Sequence, residues 1–326
     1  MAYPIEKKLV VAVSSRAVFD LEDANSIFDT KGTDAYRQYQ VERLEEPLAR
    51  GVAFPFIRRL LRLNDLYPKQ LPIEVVVLSR SSADAGQRFF RSCRHYGLNI
   101  SRGAFLSGQS PYPYIGAFNA SVFLSAHREG VVGAVRAGFP AGLVFPSTAI
   151  EDDADHELRI AFDFDGVLAD DKAEKVYQMA RNLDHFHQHE SEHVAEPHDA
   201  GPLKDLFTKI GFFQKLEAQR ESIEAGYTPA VRIAIVTTRN APSNERLVTT
   251  LSAWGMNAAE IFLMGGIEKR RVLEVLRPHI FFDDQLTHVE PASQAVPSVL
   301  IPFGVANLLL LENLPPGGSF SPEVRA

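Results

Sequence analysis

One cysteine, Cys93, stands in 326 residues. No disulfide can close within the chain, which fits a reducing compartment. Cys93 lies in a helical pattern beside Phe89 and Phe90, the setting of a buried structural thiol rather than a nucleophile. Long apolar runs are missing too. Leu9–Val13 is strand-sized, and Leu308–Leu311 falls far short of the roughly 20 residues of a spanning helix. The opening residues, Met1 to Lys8, lack the apolar stretch and cleavage pattern of a signal peptide. A cytoplasmic protein with no membrane partner is expected. Nor is there a basic surplus: 34 Lys and Arg against 41 Asp and Glu give a net charge of −7. Clusters such as Arg58-Arg59 with Arg62, or Lys269-Arg270-Arg271, are too short to track a phosphate backbone, so no nucleic-acid partner is expected. A local pocket for a small anion remains compatible with this charge.

What is present is an ordinary globular balance, 45% hydrophobic and 23% charged, with enough length for two domains. Short β-branched runs at Val10–Val13, Val75–Leu78, Ile160–Phe162, Ile233–Val236 and Ile280–Phe282 read as buried strands. Helical spacing over Ala83–Tyr96, Arg128–Ala137 and Ser243–Trp254 separates them. This alternation predicts an α/β protein with a mainly parallel sheet, whose ligands bind beyond the strand carboxyl ends. The two halves also resemble each other. Val77-Leu78-Ser79-Arg80 parallels Val236-Thr237-Thr238-Arg239. Gly97 and Gly255 are 158 positions apart, and Gly108 and Gly265 are 157. A near-constant offset predicts an internal duplication. The predicted division is a degenerate α/β domain over 1–150 and a catalytic domain over 151–313 with a small helical cap inserted at about 171–231. A flexible tail follows over 314–326. The acidic stretch Ser147–Glu157 reads as the linker.

The strongest signal is Ile160-Ala161-Phe162-Asp163-Phe164-Asp165-Gly166-Val167-Leu168. A buried strand ends directly in Asp-x-Asp, and the break at Gly166 lets both acids turn to one pocket. One carboxylate can attack phosphorus while the other handles the leaving-group proton, and Mg²⁺ suits an all-oxygen site. Thr237 and Thr238 end another strand and offer hydroxyls to a phosphoryl oxygen. Lys269 can neutralise phosphate charge, and Asp283-Asp284 end a third strand as metal ligands. Capping by Asp163 and Asp165 is the bland reading, but it does not explain four acids at two strand ends. An EF-hand fails because Leu168 stands where that loop needs glycine.

In this order, over Ile160–Asp284, the elements resemble the haloacid dehalogenase superfamily of aspartate-nucleophile phosphatases. The resemblance is closer still to the cytosolic type I 5′-nucleotidase family. It is carried by Val11-Ala12-Val13-Ser14-Ser15-Arg16-Ala17-Val18-Phe19-Asp20, His95-Tyr96-Gly97-Leu98, Gln188-His189-Glu190, Gly201-Pro202-Leu203-Lys204 and Arg277-Pro278-His279-Ile280-Phe281-Phe282-Asp283-Asp284. These matches run from Val10 to about Gly304. The fold implied is a Rossmann-like parallel sheet of haloacid dehalogenase type with a helical cap. The activity implied is Mg²⁺-dependent hydrolysis of nucleoside 5′-monophosphates, and the family further suggests a homo-oligomer.

In the mechanism this resemblance implies, Asp163 attacks and forms an aspartyl-phosphate, and Asp165 first protonates the leaving oxygen and then activates water. Asp163, the backbone carbonyl of Asp165, and Asp283-Asp284 would hold the metal, Asp284 being favoured as the direct ligand. Thr237 should bond a phosphoryl oxygen, with Thr238 or Arg239 nearby. In the cap, Phe186, Phe212 or Phe213 is a candidate to stack on a base, and Lys204 to reach phosphate or ribose. His185, His187, His189, His193 and His198 match no standard zinc spacing and read as a solvated, partly substrate-facing loop. A sugar-phosphate phosphatase, a phosphotransferase and a nucleotide sensor without turnover are the competing functions. In the first half Ser14 and Arg16 stand opposite Asp163 and Asp165, and Ser125 and Ala126 opposite Asp283 and Asp284. No carboxylate metal site is expected there. Ser14, Ser15, Arg16, Ser79 and Arg80 could take the phosphate of an effector nucleotide, against a purely structural reading.

Overall fold

The computed structural model describes residues 3–68, 72–180, 183–256 and 260–312, without the side chains of 177–183, 309 and 312. The tail assigned to 314–326 lies outside the described residues. The first half runs β1 (Leu9–Val13), α1 (Ser15–Val18), α2 (Glu22–Glu42), α3 (Phe54–Leu66), β2 (Ile73–Ser79), α4 (Ala83–His95), β3 (Arg102–Phe105), β4 (Val122–Ser125), α5 (Arg128–Arg136) and β5 (Ala141–Val144). The second runs β6 (Leu158–Phe162), α6 (Lys172–Ala180), α7 (Leu183–Glu192), α8 (Lys204–Ile223), β7 (Val231–Thr237), α9 (Asn244–Ala253), β8 (Glu260–Leu263), α10 (Arg270–Leu276), β9 (Ile280–Asp283), α11 (Leu286–Ser293), β10 (Ser298–Leu300) and α12 (Leu308–Glu312).

The ten strands form one sheet in the order β3-β2-β1-β4-β5-β10-β9-β6-β7-β8. Central strands such as β1, Leu-Val-Val-Ala-Val, are buried at every position, as a sheet covered on both faces requires. Counted from its own outer edge, each half has the same strand order. Every pairing is parallel except β5 with β10, which is antiparallel. The halves therefore run in opposite directions. The carboxyl ends of β1, β2 and β4 open on one edge of the sheet, and those of β6, β7 and β9 on the other.

The correspondence extends to single hydrogen bonds. Ser14 N donates to Leu124 O at 2.8 Å, as Asp163 N does to Phe282 O at 2.7 Å. Arg88 Nε donates to Glu46 O at 3.0 Å, as Arg246 Nε does to Glu196 O at 2.8 Å. Leu48 N donates to Ser92 Oγ, as His198 N does to Thr250 Oγ1. The bridge Phe19–Arg50 is matched by Ala169–Ala200.

The halves share one core. Phe56 of α3 meets Phe282 edge-on at 6.4 Å, and Phe282 stacks on Phe162 at 5.2 Å. Tyr67 donates to Glu217 of α8 at 2.7 Å. The acidic stretch read as a linker is pinned to the first half. Glu151 and Asp153 bind Arg50 and Arg58, and Glu151 also binds the buried Arg59.

The seam between halves leaves no space. A Cβ at Gly142 of β5 would lie 2.3 Å from Val299 Cγ1 of β10 and 3.0 Å from Ile301 Cδ1. Gly142→Val should destabilise the chain by about 1–3 kcal/mol through overpacking. Urea unfolding should show a lowered midpoint with an unchanged m-value. A wild-type midpoint would contradict a tight seam.

Candidate active site

Parallel register gathers the acids. β6 lies between β9 and β7, with Phe162 beside Phe282 and Ile235. Asp163, Asp283-Asp284 and Thr237 thus leave three adjacent strand ends together. Asp163 and Asp284 are each 3% exposed, and Asp283 is 0%. Lys269, just before α10, is equally buried. Its Nζ lies 2.8 Å from Asp163 Oδ2 and 2.7 Å from Asp283 Oδ2. Asp163 Oδ1 accepts from Phe164 N at 2.7 Å. Asp283 Oδ1 accepts from Gln285 N at 2.8 Å and lies 3.3 Å from His288 Nδ1.

Gly166 makes the convergence sterically feasible. Its φ is +72°, and a Cβ there would fall 2.4 Å from Asp284 Oδ2. Asp284 Oδ1 is buried with no hydrogen-bond partner.

Burial pushes Asp163 up to about 7, against the pull of Lys269 and with Asp283 and Asp165 adding to the rise. Burial raises Asp284 well above the usual carboxylate range, reinforced by Asp283 and Asp163. Burial works the same way on Asp283, yet Lys269 and His288 hold it below that range. Burial disfavours the Lys269 ammonium, but Asp163 and Asp283 outweigh it and raise its pKa. One ammonium therefore serves two of three buried acids, and the third is left over.

Asp165 is held differently. Arg239 binds it through two bonds, Nε to Oδ2 and Nη2 to Oδ1, both 2.7 Å. Arg239 Nη1 also binds Glu190 Oε2 of α7 and donates to Ser243 O at 2.9 Å. Its remaining N–H faces His198 Nε2 at 3.1 Å, and its plane lies by the rings of Phe164 and Phe186. Glu190 is fully buried, receives Arg246 Nη1 at 2.9 Å, and lies 3.1 Å from His198 Nε2. Burial would raise its pKa, but His198 and Arg239 hold it far below the ordinary carboxylate value. Helix α7 is thus tied to Asp165 by a buried ion network.

Sequence reasoning brought Asp163, Asp165, Thr237, Arg239, Lys269, Asp283 and Asp284 to one place, and the structure assembles them there. Thr237 is buried, and its Oγ1 accepts from Arg239 N at 3.2 Å, which leaves its own O–H to donate. Several side chains stand differently from expectation. Thr238 faces solvent. Arg239 spends its donors on protein acceptors, so it positions Asp165 instead of offering a free fork to substrate. Phe186 borders Arg239. Lys204 Nζ lies 5.7 Å from the centre of the Trp254 ring. Phe213 packs against Tyr67 in the core, and Phe212 is exposed. The histidines fall mainly on helix α7, and His198 is buried rather than solvated. The roles of Glu190, Arg246 and His288 had no signal beyond Gln188-His189-Glu190 in the resemblance, because their partners are 5 to 56 positions away.

A divalent cation fits these residues. Four carboxylates face two cations, Lys269 and Arg239, and one buried carboxylate oxygen has no partner. All-oxygen donors suit Mg²⁺. Among the described residues, Asp163, Asp283 and His288 also present ligand atoms within 4.8 Å of one another. Asp283 is already committed to Lys269, Gln285 and His288, which favours Asp284 beside Asp163.

Comparison with known proteins bears on this site. The sequence profile of the 5′-nucleotidase family matches residues 1–308. Human (Homo sapiens) cytosolic 5′-nucleotidase 1B is 32% identical over 293 residues, covering 88% of this chain and 47% of the relative. The chain spans about half the length of that curated relative. Among solved structures, the HAD domain of effector protein Lem4 from Legionella pneumophila matches 44% of this chain and 84% of its own. The identity is 16% and the TM-score 0.25, so the fold rests on the sheet order described above.

The raised acids predict a pH dependence in metal-free buffer. Between the ordinary carboxylate value of 3.8 and about 7, the folded chain holds protons that the unfolded chain has lost. Stability must therefore fall as pH rises through this window, by at most about 1.4 kcal/mol per pH unit per group. Asp284→Asn removes one of the raised acids. Its stability advantage over wild type should grow from pH 4 to pH 7 in paired urea titrations. A constant difference would contradict the charge excess.

Proposed function

The chain belongs to the 5′-nucleotidase family, and from that premise we propose that it hydrolyses nucleoside 5′-monophosphates through an aspartyl-phosphate on Asp163. The observation that carries this reading is the buried Asp163 carboxylate, paired with Lys269 beside the partnerless oxygen of Asp284. Such an arrangement is costly unless it handles charge.

Asp163 must be ionised to attack, and Lys269 holds the negative form. Lys269, fixed between Asp163 and Asp283, also meets charge that builds on the phosphoryl oxygens. Thr237 donates its O–H to one of them. Attack forms an Asp163 Oδ–P bond and breaks the bond from phosphorus to the 5′-oxygen, which must gain a proton. Asp165 supplies that proton after releasing one bond to Arg239. Once deprotonated it returns to the Arg239 fork and takes a proton from the water that attacks phosphorus and frees Asp163. Arg239, backed by Glu190, orients the Asp165 carboxylate in this second half. Asp163, Asp284 and the backbone carbonyl of Asp165 would hold Mg²⁺. When bound, the metal supplies positive charge against the phosphate and lets Asp163 ionise.

We place the activity in the cytosol, in keeping with the relative's name and the lone buried Cys93. No helix among the described residues is long and apolar enough to cross a membrane. A homo-oligomer remains part of the proposal from the family.

Phosphate release from a panel of nucleoside monophosphates and sugar phosphates, with and without Mg²⁺, tests this reading. Nucleoside monophosphates should lead, and turnover should require the metal. Asp163→Asn should lower kcat by at least about 10³-fold. Retained turnover in that variant would exclude the covalent route. Preference for sugar phosphates would replace the substrate class, and tight binding without turnover would mark a sensor.

A further inference from the structure

The first half carries its own crater, at the carboxyl ends of β1, β2 and β4, on the opposite sheet edge from Asp163. Its frame repeats three hydrogen bonds of the catalytic one. Ser14 N bonds Leu124 O where Asp163 N bonds Phe282 O. Ser79 Oγ accepts from Ser81 N at 3.1 Å, as Thr237 Oγ1 does from Arg239 N. Ser125 Oγ accepts from His127 N at 3.1 Å, as Asp283 Oδ1 does from Gln285 N. The chemistry has changed sign. The places of Asp163, Asp165, Asp283 and Asp284 are taken by Ser14, Arg16, Ser125 and Ala126.

The crater holds buried polar groups without partners. Ser15 is 4% exposed and Gln40 1%. Ser15 Oγ, Ser14 Oγ and Gln40 Nε2 have no hydrogen-bond partner. Gln40 is the counterpart of Glu190. Its Oε1 accepts from Arg88 Nη1 at 3.2 Å, as Glu190 Oε1 accepts from Arg246 Nη1. In Glu190 the second oxygen turns to Arg239, above the carboxylates. In Gln40 the second atom is a donor, Nε2, buried without a partner, and the backbone bonds put Ser81, not the Arg80 of the sequence parallel, in the place of Arg239. A buried unmet donor costs about 1–3 kcal/mol unless an acceptor arrives.

Cations gather at the same place. Arg80 Nη1 lies 3.1 Å from His127 Nε2, and Arg80 Nε donates to Gly108 O at 3.1 Å. Burial lowers the pKa of His127, and Arg80 and Arg16 lower it further against the pull of Glu129. Glu129 is largely exposed and pairs with His127 at 3.1 Å. Hydroxyl donors, an amide donor and two guanidinium groups, with no acid at the strand ends, form an anion receptor that lacks a nucleophile or a metal.

We propose that this crater is a second binding site that holds the phosphoryl group of a small phosphoester without turning it over. Arg16, Arg80 and the hydroxyls of Ser14 and Ser15 meet the phosphoryl oxygens, and Gln40 and Ser81 face the remainder of the ligand. The proposal uses none of the catalytic residues and stands apart from the fate of the nucleotidase reading.

Calorimetric titration of the full chain in Mg²⁺ buffer tests it, with a non-hydrolysable nucleoside 5′-phosphonate and, separately, inorganic phosphate as probes. At least one probe should fill two sites per chain. In the double variant Arg16→Ala, Arg80→Ala, one site should weaken by about tenfold or more, with catalytic turnover and Tm at wild-type values. Should that variant fail to fold, Arg16→Gln alone, at an exposed position, should weaken the same site. One site per chain for both probes, or two sites indifferent to these substitutions, would overturn the proposal.

Discussion

Buried charge that does not cancel organises the second half of this protein. Asp163, Asp283 and Asp284 stand at adjacent strand ends with one ammonium, Lys269, among them. Removing that many charges from water costs several kcal/mol for each unpaired ion. The surroundings are built to hold the arrangement. Gly166 supplies the backbone turn that lets Asp284 approach, and α10 begins where Lys269 can reach both acids. The parallel register of β6, β7 and β9 sets the spacing. What remains unsatisfied is the buried Asp284 oxygen.

A second network controls Asp165. Arg239 bonds it on two sides and is itself held by Glu190, which also gathers Arg246 and His198. Helix α7 therefore reaches Asp165 through buried charge. The first half keeps this skeleton, with Arg88 and Gln40 where Arg246 and Glu190 stand, but its strand-end acids are gone. One sheet thus presents two sets of strand ends on opposite edges, acidic in the second half and without acids at the matching positions in the first.

Much of this was legible before any coordinates. Asp-x-Asp-Gly at the end of an apolar run, followed at distance by Thr237, Lys269 and Asp283-Asp284, needs only strand adjacency to become a site, and parallel sheets supply that adjacency. The shared strand order of the halves has a counterpart in the spacing of Gly97 from Gly255 and of Gly108 from Gly265. Less visible were the short strands β3, β5, β8 and β10, which at three or four residues are too short to carry a periodicity of their own. The antiparallel join of β5 and β10, which turns the halves back to back, leaves no mark on local sequence. Arg239 shows a further limit. Position beside Thr237 suggested a substrate donor, but its partner Glu190 lies 49 residues away on another element, and only folding reveals that its fork is already occupied. The acidic run near Glu151 has partners that local sequence does not show, since its compensating arginines lie about a hundred residues earlier.

Direct Mg²⁺ titration of the metal-free chain tests the central claim, that the surplus of buried carboxylate charge exists to hold a divalent cation. Wild type should bind one ion at this centre, with a rise in Tm that follows mass action, and Asp284→Asn should abolish both signals while remaining folded. Absence of Mg²⁺ binding in wild type, or binding and stabilisation that persist unchanged in Asp284→Asn, would contradict it.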